Sequence, residues 1–324
     1  MKEYGGYFGL EKYKGKEYHA KAYSMNSGRN SLIFILKEKN YKMIYIPEFL
    51  CDCIENVLNK NFINYKKYQI TNNYEPILDF KINNNEALLV VNYFGILNNK
   101  KIKELKQKYS NIIIDNTQSF FQKPVNDVDT IYSCRKYFGV PDGAYFYSSD
   151  INEKHYRMLE IDDSSSRFSH LFGRLEVSAS EYYNEFLKNE ICINTLKIEK
   201  MSLLTQNFLK SFDYQYIKKV RLENFKILDS LIGKFNKFKI KNHAGLFMYP
   251  MRVNNNANLL RKKFIENKIY VPILWSNILN DYNKYNINYK LANNMILLPI
   301  DQRYNTKDMK FIANIFFKLL SEKR

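Results

Sequence analysis

Asp115 and Lys136 are the residues in this chain whose types and surroundings point most directly to covalent chemistry. Asp115 closes the β-branched run Ile112-Ile-Ile114 and is followed at once by Asn116. Lys136 comes three residues after the run Asp129-Thr-Ile-Tyr-Ser133 and just before Tyr137-Phe138 and the turn signal Val140-Pro-Asp-Gly143. A lysine amine beside a carboxylate is the pair that pyridoxal phosphate chemistry needs. The amine forms a Schiff base with the aldehyde, and the carboxylate keeps the pyridine nitrogen protonated so that the ring can accept electrons. The same two residue types near strand ends also form ordinary solvated ion pairs, so the pair by itself leaves both readings open.

The elements that must position this pair can be read from 111–147. The isoleucine run predicts a buried strand ending at the carboxyl edge of an α/β sheet, which places Asp115 at the ligand-binding end. Residues 129–133 predict a second strand with Lys136 just past its end, and a third strand follows the Asp-Gly turn.

Upstream, Asn26-Ser27-Gly28-Arg29-Asn30 is turn chemistry placed directly before the apolar segment 31–36, which reads as a helix. Small residues opening a helix make an anion site, because free N–H groups and the dipole favour negative charge there. Ser27 as a plain N-cap is the other reading. Residues 43–46 predict a strand that runs into Pro47, with a helix over 49–58. Further strands are predicted over 62–70 and 88–91, the latter ending at Asn92-Tyr-Phe-Gly95, and a lysine-bearing helix over 102–109. Such alternation predicts a mostly parallel sheet with right-handed crossovers.

After the polar loop 161–169, helical patterns cover 181–186 and 201–208. From about Asp213 the character changes. A long helix over 216–235, short strands over 246–253 and 269–273, and an amphipathic helix over 306–320 predict a small α+β domain. The expected organisation is an N-terminal arm (1–24), a large α/β domain (25–212) and a small C-terminal α+β domain (213–324).

Composition removes several classes. With 324 residues, 45% of them hydrophobic, the chain can build a large core. The longest apolar run, 87–97, is broken by Asn92 and falls far below the roughly 20 residues of a membrane span. Residues 1–15 lack the continuous apolar segment of a secretory signal, so the expected compartment is the cytoplasm. Cys51, Cys53, Cys134 and Cys192 are too few and scattered for a disulfide framework and are expected as reduced thiols. His19, His155, His170 and His243 show no helical i, i+4 pair, and Cys51-x-Cys53 has no second pair, so no metal site is expected. A net charge of +17 would ordinarily point to nucleic acid, but the lysines are spread among Asn, Ile and Tyr without a basic block. No nucleic-acid partner is therefore expected.

Five motifs in order resemble the DegT/DnrJ/EryC1/StrS family of sugar aminotransferases: Asn26-Ser-Gly-Arg-Asn-Ser-Leu32, Ile46-Pro-Glu-Phe-Leu-Cys51, Asn92-Tyr-Phe-Gly95, Asp115-Asn-Thr-Gln118, and Ser133 to Lys136 followed by Asp142-Gly143. The resemblance spans roughly residues 20–320. It implies the type I pyridoxal-phosphate fold and a homodimer with sites between subunits. The implied reaction moves an amino group from an amino acid, glutamate by family expectation, to a nucleotide-linked keto-sugar for cell-surface polysaccharide biosynthesis. The positive charge would help capture such an anionic substrate.

The resemblance implies that Lys136 carries the cofactor, Asp115 faces the pyridine nitrogen, Gln118 bonds the phenolate oxygen, and Ser27, Gly28, Arg29 and Ser133 hold the phosphate. Arg29 stands where the family usually has threonine, and the Ser133–Lys136 connection is two residues shorter than usual. Cys51 occupies the place of the family's stacking aromatic, with Phe49 close by; either could face the ring. Arg167 is what remains recognisable of a pair that reaches the neighbouring subunit's phosphate, and Trp275 lies where the family closes over substrate. A decarboxylase on the same scaffold and a cofactor-binding protein without turnover are the alternative functions.

Overall fold

The computed structural model describes residues 4–240, 247–253 and 257–321; His243 and Leu246 lie outside them. Strands β1 (Tyr23–Met25), β2 (Met43–Pro47), β3 (Asn64–Tyr68), β4 (Glu86–Val91), β5 (Ile112–Asp115), β6 (Asp129–Ser133) and β7 (Ala144–Tyr147) form one sheet in the order β1-β7-β6-β5-β4-β2-β3. From β3 through β6 all neighbours are parallel; β7 runs antiparallel to both β6 and β1. Residues 87–91 of β4 and 112–114 of β5 are all buried, as central parallel strands covered on both faces must be. Edge strand β3 instead shows Lys66 and Lys67 to solvent, which discourages pairing with another chain.

The predicted helix at 31–36 is real but begins earlier, at Gly28–Glu38, capped by Ser27 and packed on β6 and β7. The helix expected from residue 49 begins only at Asp52. Residues 48–50 bend after Pro47, the Leu50 N–H donating to the Glu48 carbonyl (3.1 Å), and Cys51 is the N-cap, its thiol accepting the N–H of Cys53. Residues 4–22 carry no helix or strand, and β1 takes up the end of the expected arm. The arm docks through Tyr145, whose hydroxyl donates to Glu17 (2.5 Å), and through His19, which contacts the Phe120 carbonyl at 2.8 Å.

The long helix is Tyr214–Ile232. It packs on the helix Thr306–Ser321, and with the antiparallel pair β8 (Tyr249–Arg252) and β9 (Met295–Leu298) these elements enclose an apolar cluster of their own. Here the sequence expectation needs correcting. Residues 269–273 form no strand: Ile269 and Val271 are buried, but Pro272 offers no N–H to a ladder. The partner of β8 is the fully buried Met295–Leu298, an apolar run ended by Pro299. Among the described residues no helix is long and apolar enough to cross a membrane.

Candidate active site

Parallel strands share a carboxyl edge, and the cleft opens there. Register pairs Asp115 with Val91 of β4 and Ile131 of β6, so the carboxylate sits in the middle of that edge. Asp115, Gln118, Ser133 and Lys136 line one cleft together with Ser27, Gly28, Arg29 and Cys51. Of the residues singled out for the site, Phe49 is absent from these walls.

Lys136 is presented by the connection between β6 and β7. The carbonyl of Cys134 accepts the N–H groups of both Tyr137 and Phe138 at 3.0 Å, winding the chain into a single turn that projects the lysine toward β5. Its Nζ donates to Thr117 Oγ1 (3.1 Å), while Asp115 Oδ1 accepts the Thr117 N–H (2.8 Å). Thr117 therefore bridges the acid and the amine, a role that sequence reasoning missed although the residue lies within the Asp115–Gln118 motif. Burial holds the Lys136 amine below the usual lysine range; Asp115 and the two cleft thiols oppose this, and Arg135 adds to it. The side chain still reaches water through the open cleft. Protein on its other sides causes the depression, and a larger fraction of the amine is left neutral and nucleophilic than in a free lysine.

The turn that closes this connection depends on Gly143. Its φ of +107° suits glycine, its N–H donates to the Asn26 carbonyl (2.8 Å), and an added Cβ would lie 3.0 Å from Thr205 Cγ2 and 3.3 Å from Cys134 Cβ. Asp142 beside it faces away from the cleft. Its carboxylate accepts the N–H (3.0 Å) and hydroxyl (2.9 Å) of Ser202 and the hydroxyl of Thr205, anchoring the turn to the start of helix Leu203–Leu209. Gly143→Ala should cost roughly 1–3 kcal/mol through strained backbone and crowding, read as a lowered thermal midpoint.

Gln118 is buried, and its Oε1 accepts the Phe94 N–H (2.8 Å) in the turn that follows β4, where Phe94 adopts φ 56°. That bond turns the amide NH2 toward the cleft as a donor. Behind it Asn92 ties the layer together. Its Nδ2 donates to Asn116 Oδ1 (2.8 Å) and Gln122 Oε1 (3.0 Å), and its Oδ1 accepts the Leu97 N–H (2.7 Å).

At the other end of the cleft, helix Gly28–Glu38 points its N-terminus inward. Ser27 Oγ accepts the Asn30 N–H (3.2 Å), so it is the N-cap, and its hydroxyl proton stays free to donate. The first-turn amides of Gly28 and Arg29 have no carbonyl one turn back and can meet an anion. The Arg29 guanidinium donates to Asn194 Oδ1 on helix Tyr183–Thr195, and Arg135 pairs with Glu190 of the same helix. Burial, followed by the like charge of Arg29, brings the Arg135 guanidinium down to about 10. Arg135 and Cys53 also line the cleft without having been singled out there.

Phe49 is 1% exposed and packs with Tyr74, Tyr93 and Trp275 behind the cleft, its carbonyl accepting the Tyr93 hydroxyl at 2.5 Å. Trp275 does reach the wall, and Asn277 holds its loop to the main body through the Leu50 carbonyl (3.0 Å). Arg167 turns into its own chain, where its guanidinium is buried against Asp162 (2.6 Å).

No protein-family model and no curated protein matches this sequence. Solved structures do match its fold. One is the sugar aminotransferase CalS13 from Micromonospora echinospora, with 12% identity and a TM-score of 0.59, covering 92% of this chain and 87% of that one. Another is a DegT DnrJ EryC1 StrS aminotransferase from Brucella abortus, with 12% identity and a TM-score of 0.58 over 92% and 85%. A third is Spr1654 from Streptococcus pneumoniae in its PLP form, with 13% identity and a TM-score of 0.59 over 93% and 87%. The chain has the α/β fold of these aminotransferases.

Proposed function

We propose that this protein is a pyridoxal-phosphate-dependent aminotransferase of the DegT/DnrJ/EryC1/StrS family, moving an amino group from an amino acid, glutamate, to a nucleotide-linked keto-sugar used in cell-surface polysaccharide biosynthesis. One observation carries the reading. A lysine that reaches water through the cleft, a strand-end carboxylate, a buried side-chain amide and a helix N-terminus with open N–H groups all line a single cleft.

That donor set fits the cofactor. Ser27, Gly28, Arg29 and Ser133 would hold the phosphate, Asp115 the pyridine nitrogen, and the Gln118 amide the phenolate oxygen, with Cys51 rather than Phe49 on the face of the ring. Pyridoxal phosphate supplies an aldehyde that condenses with amines and a ring that takes up the electrons left when a substrate's α-hydrogen is removed as a proton. Lys136 would hold the cofactor, and its Nζ is the group in the cleft that could accept that proton and return it. Thr117 holds Nζ over the cleft by accepting its hydrogen bond. Asp115 would face the ring nitrogen, and the bond that its Oδ1 accepts from the Thr117 N–H fixes the carboxylate's direction.

The test is direct. The purified protein should be yellow and lose that colour on adding glutamate, and borohydride reduction should leave the pyridoxyl group on Lys136. A label on any other lysine removes the assignment. Release of carbon dioxide from the donor would favour a decarboxylase, and colour without a change on adding amino acids would favour a binding protein.

The active form is a homodimer in this reading. Leu175, 84% exposed, and Ile191, 66% exposed, leave an apolar face on the helices Ser169–Glu176 and Tyr183–Thr195, the second of which holds Arg29 and Arg135. Sedimentation should give about twice the 38.8 kDa chain mass. A monomer fully active at nanomolar concentration would rule this out. The free thiols suit a reducing compartment, the cytoplasm.

A further inference from the structure

The turn that presents Lys136 is also held by residues far along the chain. Beside the bonds to the Cys134 carbonyl and the Asp142 anchor, the carbonyl of Tyr137, the residue next to Lys136, accepts Gln302 Nε2 at 2.9 Å and Arg221 Nη2 at 3.3 Å. The Arg221 guanidinium lies over the Tyr137 ring, 4.6 Å from its centre. Its Nη1 donates to the Phe247 carbonyl (2.9 Å) and its Nε to Gln302 Oε1 (3.2 Å), so each of its three nitrogens donates. A buried guanidinium is stable among apolar neighbours only when its donors are met in this way. Arg221 sits where helix Tyr214–Ile232 passes from one core to another. Before it, Tyr214 and Ile217 pack with Tyr137 and Phe138; after it, Phe225 and Leu228 pack against β8 and β9. Phe247 comes just before β8 and Gln302 just after β9, and Asn224 Nδ2 holds the Gln302 loop by donating to the carbonyls of Ile300 (3.2 Å) and Tyr304 (3.0 Å). We propose that Arg221 and Gln302 are positioning residues for Lys136: by gripping the Tyr137 carbonyl they make the placing of the amine depend on the seat of the C-terminal elements.

The grip on Tyr137 fixes the backbone beside Lys136, and the backbone fixes where the side chain can carry Nζ. With the grip intact, Nζ reaches Thr117 Oγ1 at 3.1 Å and burial keeps the amine below the usual lysine range. With the grip loosened, Nζ spends more time in water, burial depresses the amine less, and it is neutral only at higher pH. The charged and titratable groups that face the amine are Asp115 from β5, Cys53 and Cys51 from helix Asp52–Lys60 and its cap, and Arg135 from its own connection. Exchanging Gln302 for leucine alters none of these and changes no charge. The C-terminal elements also carry Trp275 on the cleft wall, so that wall and the lysine are set by one body. Its part in the reaction rests on the amino-transfer reading, where a misplaced amine slows proton transfer without loosening the donor.

Competitive acetylation of the cofactor-free, full-length protein, mapped by peptide across a pH series, reads the Lys136 amine against the exposed lysines. Gln302→Leu should shift its midpoint upward, toward theirs, by about half a pH unit or more, and Arg221→Lys, which keeps the charge but not the planar fork, should do the same. Leu105→Ala, in the core on helix Asn99–Lys108, is the comparison: it should lower the thermal midpoint and leave the Lys136 midpoint in place. Where Arg221→Lys does not fold, Gln302→Leu on the part-exposed loop carries the test. With cofactor added, the half-reaction of Gln302→Leu with glutamate should slow at least about tenfold, while the half-saturating glutamate concentration stays within about twofold. An unchanged Lys136 midpoint or half-reaction rate in Gln302→Leu, or a midpoint moved as far by Leu105→Ala, would overturn the grip. A shifted midpoint in a protein that takes no pyridoxyl label on Lys136 would overturn the amino-transfer reading and leave the grip standing.

Discussion

Lys136→Ala is expected to fold, to lose the covalently held cofactor and its yellow colour, and to transfer amino groups at least about a thousandfold more slowly. Two losses add. In the proposed function the resting bond to the cofactor would disappear, and so would the group that carries the α-proton, whose removal alone costs on the order of 10²–10⁴. The fold should survive because the turn around Lys136 is held by backbone bonds to the Cys134 carbonyl and by the Asp142 anchor, neither of which involves the lysine side chain. Single-turnover spectra with glutamate measure the effect beside a thermal melt. Added methylamine should restore part of the rate, since a small amine can occupy the vacated space and carry the proton. A merely structural lysine would show a lowered melt, an unchanged chemical rate and no rescue, and that combination would remove Lys136 from the mechanism.

Asp115→Asn keeps the size of the side chain and removes its charge. The amide oxygen can still accept the Thr117 N–H that Asp115 Oδ1 accepts now, so the position of Lys136 should persist. What would disappear, in the proposed function, is the charge opposite the ring nitrogen, and each unit of pyridine pKa held up by that charge is about 1.4 kcal/mol of differential interaction. The variant should still turn yellow, but its half-reaction with saturating glutamate should slow at least about a hundredfold, the scale of one well-placed electrostatic group. A second consequence is visible without turnover. Asp115 favours protonation of Lys136, so in the cofactor-free protein the Asn variant should hold its Nζ neutral down to a lower pH, followed as the pH dependence of lysine acylation at that site. Unchanged half-reaction kinetics together with a large loss of stability would instead make Asp115 a strand-end cap.

Much of this arrangement is written locally in the chain. Ile112–Asp115 is legible because β-branched residues prefer the pleated, doubly covered strand and a polar pair ends it. The Val140-Pro-Asp-Gly143 turn is legible because φ +107° suits glycine. Ser27 before an apolar run marks a helix start by the chemistry of capping. Once these elements alternate, a parallel sheet with its functional edge at the strand ends follows from general rules, and Asp115 and Lys136 meet there. The identity of the strand that pairs with β8 could not be read this way. Residues 269–273 and 295–298 are both short apolar runs, and only the sheet's need for N–H donors separates them.

The side-chain facing was also beyond a local reading. Phe49 and Cys51 lie two residues apart beside Pro47. The bend over 48–50 sends the ring into the aromatic cluster with Tyr74 and Tyr93, while the late start of the next helix leaves the thiol on the cleft wall. Thr117 became a bridge because β5 and β6 sit side by side, which brings Nζ of a residue 19 positions away within 3.1 Å. Arg167, which the family resemblance directs to a neighbouring subunit's phosphate, pairs with Asp162 in its own chain. Residue type and short-range period determine which elements form and where they end. Which way a side chain points at an element's end is settled by the neighbours that compete for it, and those are far away in sequence.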